Sequence, residues 1–356
     1  MARPYTVYIY FFQDEIWKSN RLIALARFIP TRRGALTQTY MKALFTFAGL
    51  LVAVAAFGQQ SPQYTQYIFN GLTINPAYAG SQSTMQITAS HRSQWTGLEG
   101  APATQTLSAD GAVLESKIGL GLTFLNDKIG AQSNTSVSLS AAVKKELGPK
   151  LNVSLGLALG ASQFTLDGTK LQAGSKTPDK AIPLHRESTI LPDLKVGLFL
   201  NTERFYTGFS VANMVSFRES QLLVTTPARH FYLTSGYVFD MGPSVKIKPS
   251  FLIKEDLKSP TNIDLNTFVL LHERLWLGGS YRMSMPKLRP SESEEELTGS
   301  NAFAVITQVY ATPSLRIGYS YDVSLSQLKN YGSHEVTLGY SFLRKLDGRM
   351  LTPRYF

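Results

Sequence analysis

The sequence predicts an all-β fold, a transmembrane antiparallel β-barrel of about 14 strands. Three observations support this prediction: apolar residues alternate with small or polar ones along most of the chain, a secretory leader comes first, and short connections alternate with long ones. The alternation is clearest over 151–160, where leucine or valine occupies every second position. A helix cannot use a period of two, whereas a barrel wall has one face toward lipid and one toward the lumen.

The leader is predicted at 41–58. Met41 and Lys42 are followed by an apolar run over 43–57, and Ala56 and Gly58 are the small residues that a signal peptidase reads. About 14 apolar residues are fewer than the roughly 20 of a spanning helix, so we expect a cleaved signal peptide rather than a membrane anchor. Residues 1–40 are interpreted as an upstream extension that results from a mis-called translation start.

Composition and charge exclude several classes of protein. The formal net charge is +10, and residues 1–58, with seven basic and two acidic residues, account for +5 of it. The remaining charge is too small and dispersed to indicate nucleic-acid binding, so basic residues are expected to meet the phosphates of outer-membrane lipid. The absence of cysteine excludes a lipidated cysteine anchor, and the lack of a further run of 18 apolar residues excludes a helical membrane protein.

The barrel is predicted to span 84–343, followed by a C-terminal tail at 344–356. Most alternating segments have about 10 residues, the length that a tilted strand needs to cross a bilayer, and an even number of strands brings both ends to one side. The 14 predicted strands are 84–92, 103–112, 117–126, 134–146, 150–165, 192–201, 204–214, 229–240, 244–254, 261–271, 274–285, 301–311, 314–323 and 333–343.

Tight connections alternate with longer ones along the predicted barrel. The tight ones are 145–150, 201–204, 240–243, 272–274 and 311–314. The longer ones are 166–191, 215–228, 255–260, 286–300 and 324–332. Outer-membrane barrels have short periplasmic turns and long outer loops, whereas a soluble sandwich has no reason to keep this alternation.

Aromatic residues collect near the ends of the predicted strands. Amphipathic rings suit the two interfacial girdles of a barrel, although packing in a sandwich core is the alternative. The residues assigned to the girdles are Tyr206, Phe209, Phe231, Tyr232, Tyr237, Phe239, Trp276, Tyr281, Tyr319, Tyr321, Tyr340 and Phe342.

An aromatic and asparagine-rich segment at 59–83 precedes the first strand. It contains many turn formers and little alternation. Its position implies that it lies either in the periplasm or inside the barrel. Its amides and tyrosines would suit a polar lumen.

The sequence shows no motif for catalysis or for a cofactor. The five histidines have no metal-binding spacing, and the glycines at 119, 121, 278 and 279 lie within strands rather than at a strand-to-helix junction that could hold phosphate. We interpret these glycines as places where a strand bends or the lumen needs space. No catalytic, metal or cofactor-binding residue is therefore proposed, and we do not expect an enzyme.

Four motifs near the start of the predicted mature chain are long and specific. They are 62–70 (PQYTQYIFN), 75–80 (NPAYAG), 91–95 (HRSQW) and 100–108 (GAPATQTLS). Together they closely resemble the amino-terminal signature of the PorP/SprF family of Bacteroidetes envelope proteins. The resemblance continues at 248–251, 263–266, 275–282, 321–326 and 339–342, and family members begin close to their leader, which supports excluding residues 1–40.

The resemblance implies a non-enzymatic outer-membrane component of the type IX secretion system and the gliding machinery. Its partners would be other components of the machine in the periplasm and outer membrane, and secreted adhesin-type cargo. The alternative is a passive outer-membrane porin or solute channel. The residues that match family motifs, in either a structural or a partner-binding role, are Asn75, Pro76, Tyr78, Arg92, Trp95, Tyr321 and Asp322.

Overall fold

A computed structural model describes residues 62–82, 84–114, 116–148, 151–171, 183, 185–215, 227–257, 259–285 and 301–342. Antiparallel strands dominate these residues. The strands are β1 (Met85–Ser93), β2 (Ala103–Val113), β3 (Ile118–Ile129), β4 (Gln132–Glu146), β5 (Asn152–Asp167), β6 (Arg186–Asn201), β7 (Phe205–Ala212), β8 (His230–Tyr237), β9 (Phe239–Asp240), β10 (Val245–Glu255), β11 (Thr261–Leu271), β12 (Leu275–Met285), β13 (Ala302–Tyr310), β14 (Leu315–Ser324) and β15 (Gly332–Phe342).

The strands form a closed barrel of 14 staves, where a stave is one position in the ring and β8 together with β9 counts as one. The two-residue β9 continues β8, since both pair with β10, and each stave pairs with its predecessor and its successor in the sequence. The ring closes where β1 pairs with β15, from Met85 opposite Phe342 to Ser93 opposite His334. The predicted fold class is confirmed, and each predicted strand overlaps one observed stave.

The largest difference in boundaries is at β6. The sequence pattern predicts that this strand begins at residue 192, but it begins at Arg186, because its first residues extend a long hairpin with β5 in which Arg186 lies opposite Asp167. The connection predicted at 166–191 is correspondingly shorter and covers 168–185.

The barrel has apolar residues on its outer face and polar residues on its inner face. Leu155, Leu157 and Leu159 on β5 are 63%, 45% and 59% exposed, whereas their neighbours Ser154 and Ala158 are 1% and 2% exposed. This distribution is the reverse of that in a water-soluble barrel, where leucines fill the interior. Hydrocarbon tails of the membrane therefore cover the outer face.

The connections divide between two rims. One rim, here called the turn rim, has the tight connections at 114–117, 147–151, 202–204, 241–244, 272–274 and 311–314. The opposite loop rim has 94–102, 130–131, 168–185, 213–229, 256–260, 286–301 and 325–331. The two-residue connection at 130–131 interrupts the predicted alternation, and 286–300 lies outside the described residues.

The aromatic girdle prediction is wrong for three residues. Tyr206 and Trp276 are buried inside the barrel, and Tyr232 packs against an interior cluster. Closeness to a strand end does not determine the direction of a side chain. These residues alternate with outward Phe205, Leu277 and Leu233, so they point inward. The aromatic residues that are exposed as predicted are Phe209, Tyr237, Phe239, Tyr281, Tyr319, Tyr321, Tyr340 and Phe342, and Phe231 is half-buried.

Helical structure among the described residues is limited to short 3-10 turns. Three lie before β1, at Tyr67–Phe69, Gly71–Thr73 and Pro76–Tyr78, and one follows β5, at Gly168–Lys170. None of these turns has the length and apolarity that crossing a membrane would require.

Candidate functional site in the barrel lumen

Residues 62–82 lie inside the ring, and we call them the plug. Their hydrogen-bond partners come from β2, β6, β7, β11, β12, β14 and β15, which together surround the bore. One short segment can reach strands on all sides only from within the ring. Of the two locations left open by the sequence, the structure therefore shows the lumen.

The plug runs along the bore from the turn rim toward the loop rim. The amide of Gly80 donates to Asp110 Oδ2 (2.8 Å), near the turn-rim end of β2. Gln63 Oε1, at the other end of the plug, accepts from Arg282 Nη1 (3.1 Å), near the loop-rim end of β12. The chain thus reaches β1 by descending through its own barrel.

Asn75 and Pro76 explain the local shape of the plug. Asn75 Oδ1 accepts a hydrogen bond from the amide of Ala77 (2.9 Å), which caps the 3-10 turn Pro76–Tyr78. Proline suits the first position of such a turn because its missing N–H would have no partner there. Asn75 Nδ2 donates to the carbonyl oxygen of Leu198 on β6 (3.0 Å), so the same side chain both shapes the plug and attaches it to the wall.

Arg92 is the centre of the first ionic cluster between plug and wall. Its Nη2 donates to Asp322 Oδ2 (2.7 Å), while its Nη1 donates to Thr65 Oγ1 (2.8 Å) and to Glu335 Oε2 (3.3 Å). Glu335 Oε2 also accepts from the amide of Thr65 (2.8 Å), and the Gln66 Nε2 donates to the Glu335 carbonyl oxygen (2.8 Å). Charges removed from water need such partners, and here the plug supplies several of them.

Arg282 forms a second ionic cluster. It binds Asp264 in two places, through Nε to Oδ1 (2.7 Å) and through Nη2 to Oδ2 (3.1 Å). The guanidinium also donates to Gln63 Oε1 and to the carbonyl oxygen of Tyr64 (3.4 Å). This two-point geometry fixes the arginine in orientation, so its remaining N–H groups are directed at the plug.

Aromatic packing occupies the level below these ionic clusters. Phe69 of the plug contacts Phe268 edge-on, with ring centroids 5.4 Å apart, and lies 6.3 Å from Trp276. Lys248 is 1% exposed, and its Nζ lies 5.4 Å from the Tyr206 ring centroid and 5.6 Å from that of Trp276. Cation–π contacts of this kind are most favourable where water is excluded.

Glycines in the wall make room for the plug. A Cβ atom added at Gly156 would lie 2.2 Å from the Ala77 nitrogen, and one at Gly119 would lie 1.9 Å from the Ala79 carbonyl oxygen. Both neighbours are backbone atoms, so no side chain can rotate away. The interpretation that Gly119 leaves space in the lumen is confirmed.

A cavity of about 510 Å³ lies between the plug and the loop rim, and we call it the vestibule. Its floor includes Tyr64, Arg92 and Asp322, and its wall includes Asn134 and Asp193. The plug and its ionic clusters therefore separate this space from the turn rim.

The seven motif residues have different surroundings. Asn75, Pro76, Tyr78, Arg92 and Asp322 are buried in the lumen, where they shape the plug or attach it to the wall. Trp95 lines the vestibule, and its amide donates to Ser333 Oγ (3.1 Å). Tyr321 is 39% exposed on the outer face and packs against His334, with ring centroids 5.0 Å apart.

Sequence reasoning missed Glu335, Asp264, Arg282 and Lys248 as site residues. Each occupies an inward-facing position of a strand whose outward-facing residues are mostly apolar. Glu335, for example, is buried and comes directly before the exposed Val336. A charged residue in that phase must lie in the lumen, and it needs a partner there. This signal was present in the sequence, but it could not show which partner each charge has.

The lipid-facing apolar staves and the filled polar bore define the class of this protein, an outer-membrane β-barrel with a plugged lumen. The model of a family described as type IX secretion system membrane protein PorP/SprF matches residues 56–340. The chain belongs to this family, which confirms the resemblance, and it is a membrane component of a type IX secretion system. No curated protein matches the chain.

Several solved barrels are similar in structure. Acinetobacter baumannii Omp33 has a TM-score of 0.44 at 10% identity, covering 74% of this chain and 100% of Omp33. A Pseudomonas aeruginosa FadL homologue has a TM-score of 0.45 at 10% identity, covering 81% of this chain and 96% of that one. The monoaromatic hydrocarbon channel CymD has a TM-score of 0.46 at 12% identity, covering 77% and 92%.

Proposed function

We propose that this protein is a non-enzymatic scaffold of the type IX secretion and gliding machinery, which supports the secretion or surface attachment of specific cargo. Family membership supports a role in the machine. The single observation that carries the scaffold role is the plug, which fills the bore and is held by the two ionic clusters. A passive channel needs a continuous water path, whereas here the vestibule ends on Tyr64, Arg92 and Asp322.

The proposal includes no catalytic step and no cofactor. Within the described ranges, no three histidine, aspartate or glutamate side chains come together as a metal site. The buried charges of Arg92, Asp322, Glu335, Asp264 and Arg282 have structural partners, and these partners account for their positions.

The proposed partners follow from the two rims. The loop rim would face the cell exterior and meet secreted adhesin-type cargo, while the turn rim would meet periplasmic components and the outer face would meet outer-membrane lipid. Export would use the leader at 41–58, with cleavage before Gln59. The surface proposed to bind cargo consists of the loops at 168–185 and 286–300 and the vestibule.

Cargo display in a deletion strain tests this function. Without the gene, we expect one large adhesin to be lost from the cell surface while other secreted proteins still appear, and wild-type protein should restore it. Deleting 172–182 or 286–300 should impair the same display while the barrel remains inserted, as judged by heat-modifiable migration in electrophoresis. Unchanged display of every cargo in the deletion strain would contradict the proposal.

The alternative, a passive porin, makes an opposite prediction in planar bilayers. A plugged scaffold should pass little current, and a variant without 62–82 should conduct because its bore is empty. A wild-type protein that conducts steadily, at the level of the variant without the plug, would favour the porin instead.

A further inference from the structure

The vestibule has a polar wall that the plug does not use. Asp127, Asn134, Ser162 and Asp193 contribute to it from β3, β4, β5 and β6, opposite Arg92 on the floor. None of the four wall residues has a hydrogen bond to the plug among the described contacts. Attachment of the plug therefore does not explain this wall.

Several buried polar atoms around the vestibule have no hydrogen-bond partner among the described residues. They are Asn134 Oδ1, Asp193 Oδ1, Asp322 Oδ1 and Arg92 Nε. A buried polar group without a partner costs about 1–3 kcal/mol, so such groups favour a ligand or water that can pair with them. These atoms have almost no surface open to the cavity, so a ligand would pair with them only after the side chains rotate toward it. Three acceptors and one donor would then suit a ligand that both donates and accepts, as a set of hydroxyl groups does.

Aromatic faces accompany these polar groups. Trp95, Tyr64 and Tyr232 all line the vestibule. Trp95 is held in the left-handed backbone region (φ 46°), where its amide bonds Ser333 Oγ. Flat aromatic surfaces combined with a few directed polar groups are typical of a site for a small polar ligand, and the cavity has the volume of such a site.

The wall chemistry argues against other classes of ligand. An apolar ligand would remove Asp127 and the ion pair of Asp193 with Lys195 from water without offering them a hydrogen bond, and it would leave Asp193 Oδ1 without a partner. An extended peptide would need a free strand edge, but β3, β4 and β5 are paired on both sides along this wall. Nucleic acid would need a clear excess of basic groups, whereas carboxylates are as prominent here as cations.

We propose that the vestibule binds a short saccharide, with hydroxyl groups paired to Asn134 and Asp193 and a sugar face against Trp95. Such a saccharide could belong to a glycolipid of the outer leaflet or to a glycosylated secreted protein. This inference depends on the proposed function only in assigning the loop rim to the cell exterior.

Binding to the purified full-length protein tests the inference. The two probes are the saccharide that mild acid releases from the outer-membrane glycolipid of the producing bacterium, and the saccharide released from its secreted proteins. The protein is kept in lauryldimethylamine oxide, a detergent without a sugar headgroup, and binding is followed by calorimetry and tryptophan fluorescence. We expect saturable binding of at least one probe, and the stronger of the two identifies the source.

Variants separate the vestibule from other surfaces. Asn134→Ala and Asp193→Ala should each weaken binding by about tenfold or more, because each removes a hydrogen bond to the ligand. Trp95→Ala should weaken binding more than Trp95→Phe, which keeps a ring. Gln163→Ala is the matched control: Gln163 is exposed on the outer face of β5, between the vestibule residues Ser162 and Phe164, and its loss should leave affinity unchanged.

Two outcomes would overturn the inference. They are no saturable binding of either saccharide, and full affinity in both Asn134→Ala and Asp193→Ala. Heat-modifiable migration checks that each variant is folded. Cargo display in cells is a separate measurement, so failure here is distinguishable from failure of the proposed function.

Discussion

Arg92 shows how a single inward side chain joins the wall to the plug. It extends from β1 to Asp322 on β14, Glu335 on β15 and Thr65 of the plug. Both carboxylates are almost fully buried, so each depends on this guanidinium for compensation of its charge.

Replacing Arg92 with alanine should therefore be strongly destabilising. We expect Arg92→Ala to lower the free energy of unfolding by about 3–5 kcal/mol, because it leaves two buried carboxylates without their ion-pair partner. Denaturant unfolding in detergent micelles, followed by tryptophan fluorescence, measures this change.

Arg204→Ala is the matched control for that measurement. Arg204 forms an ion pair with Asp240 at the turn rim, where its side chain is 56% exposed. Exposed pairs contribute little, so we expect a loss of at most about 1 kcal/mol. Equal losses in the two variants would show that the lumenal ionic cluster does not hold the barrel together.

At this scale the sequence shows which residues are unusual but not how they pair. Arg92 and Asp322 stand out through family motifs, and Glu335 stands out through its inward phase in an apolar strand. However, Arg92 and Asp322 are 230 residues apart in the chain, and only the closed ring makes them neighbours. Alternation contains no information about contacts across the lumen.

The plug depends on the fit between its turns and the glycines of the wall. The turn Pro76–Tyr78 lies against Gly156 on β5, and Asn75 lies against Gly197 on β6. A close approach of two backbones leaves no space for even one methyl group.

Adding that methyl group should disturb the plug. We expect Gly156→Ala to destabilise the protein by about 1–3 kcal/mol and to raise the conductance of the barrel, because its Cβ would overlap the backbone of Ala77. Thermal loss of heat-modifiable migration and planar-bilayer recordings provide the two readouts.

Gly279→Ala provides the comparison on β12. A Cβ atom there would meet Phe303 at 3.6 Å, an ordinary contact, so stability and conductance should remain as in the wild type. If both alanine variants behaved alike, steric fit to the plug would not explain the glycine at position 156.

Strands were predictable at the scale of elements, whereas the position of the plug was not. A period of two follows from one face meeting lipid and the other meeting the lumen, and it survives in nearly every stave. Residues 62–82 have no such period, because they form 3-10 turns that contact several different strands of the barrel wall. Composition alone therefore could not decide between periplasm and lumen.

The barrel has short connections at one rim and longer ones at the other. Because the chain contains no cysteine, a single introduced cysteine can report which rim faces the cell exterior. Leu257 at the loop rim is 70% exposed, and Met241 at the turn rim is 63% exposed. We expect a membrane-impermeant maleimide to label Leu257→Cys on intact cells, but Met241→Cys only after the outer membrane is permeabilised. The reverse pattern would invert the proposed orientation and assign the vestibule to the periplasm.

The apolar belt around the barrel leads to another prediction. Leu157→Arg should cost about 2–4 kcal/mol, because it introduces a charge on the lipid face of β5. Gln163→Arg, on the same face nearer the loop rim, should cost at most about 1 kcal/mol. The yield of folded protein in lipid vesicles over a urea series compares the two, and similar losses would indicate that lipid does not cover this part of β5.

At the scale of the molecule, the class of barrel and its two rims were predictable, but the vestibule was not. The number of strands and the lengths of the connections follow from local pattern. The cavity is the space that remains after the plug, the ionic clusters and the loop-rim residues are in place. The volume of the cavity depends on how close the plug extends to the loop rim, and no local pattern in the sequence predicts that distance.

Ring closure by β1 and β15 also sets an order for biogenesis. Asp322 and Glu335 belong to the last two strands of the described ring, more than 200 residues after Thr65 and Arg92. Until residues 322 and 335 have been synthesised, Arg92 therefore lacks both acidic partners, and it gains them as the seam between β1 and β15 forms. Products truncated before β14 would lack the seam and these two carboxylates together, so they would be open sheets in which Arg92 has no acidic partner.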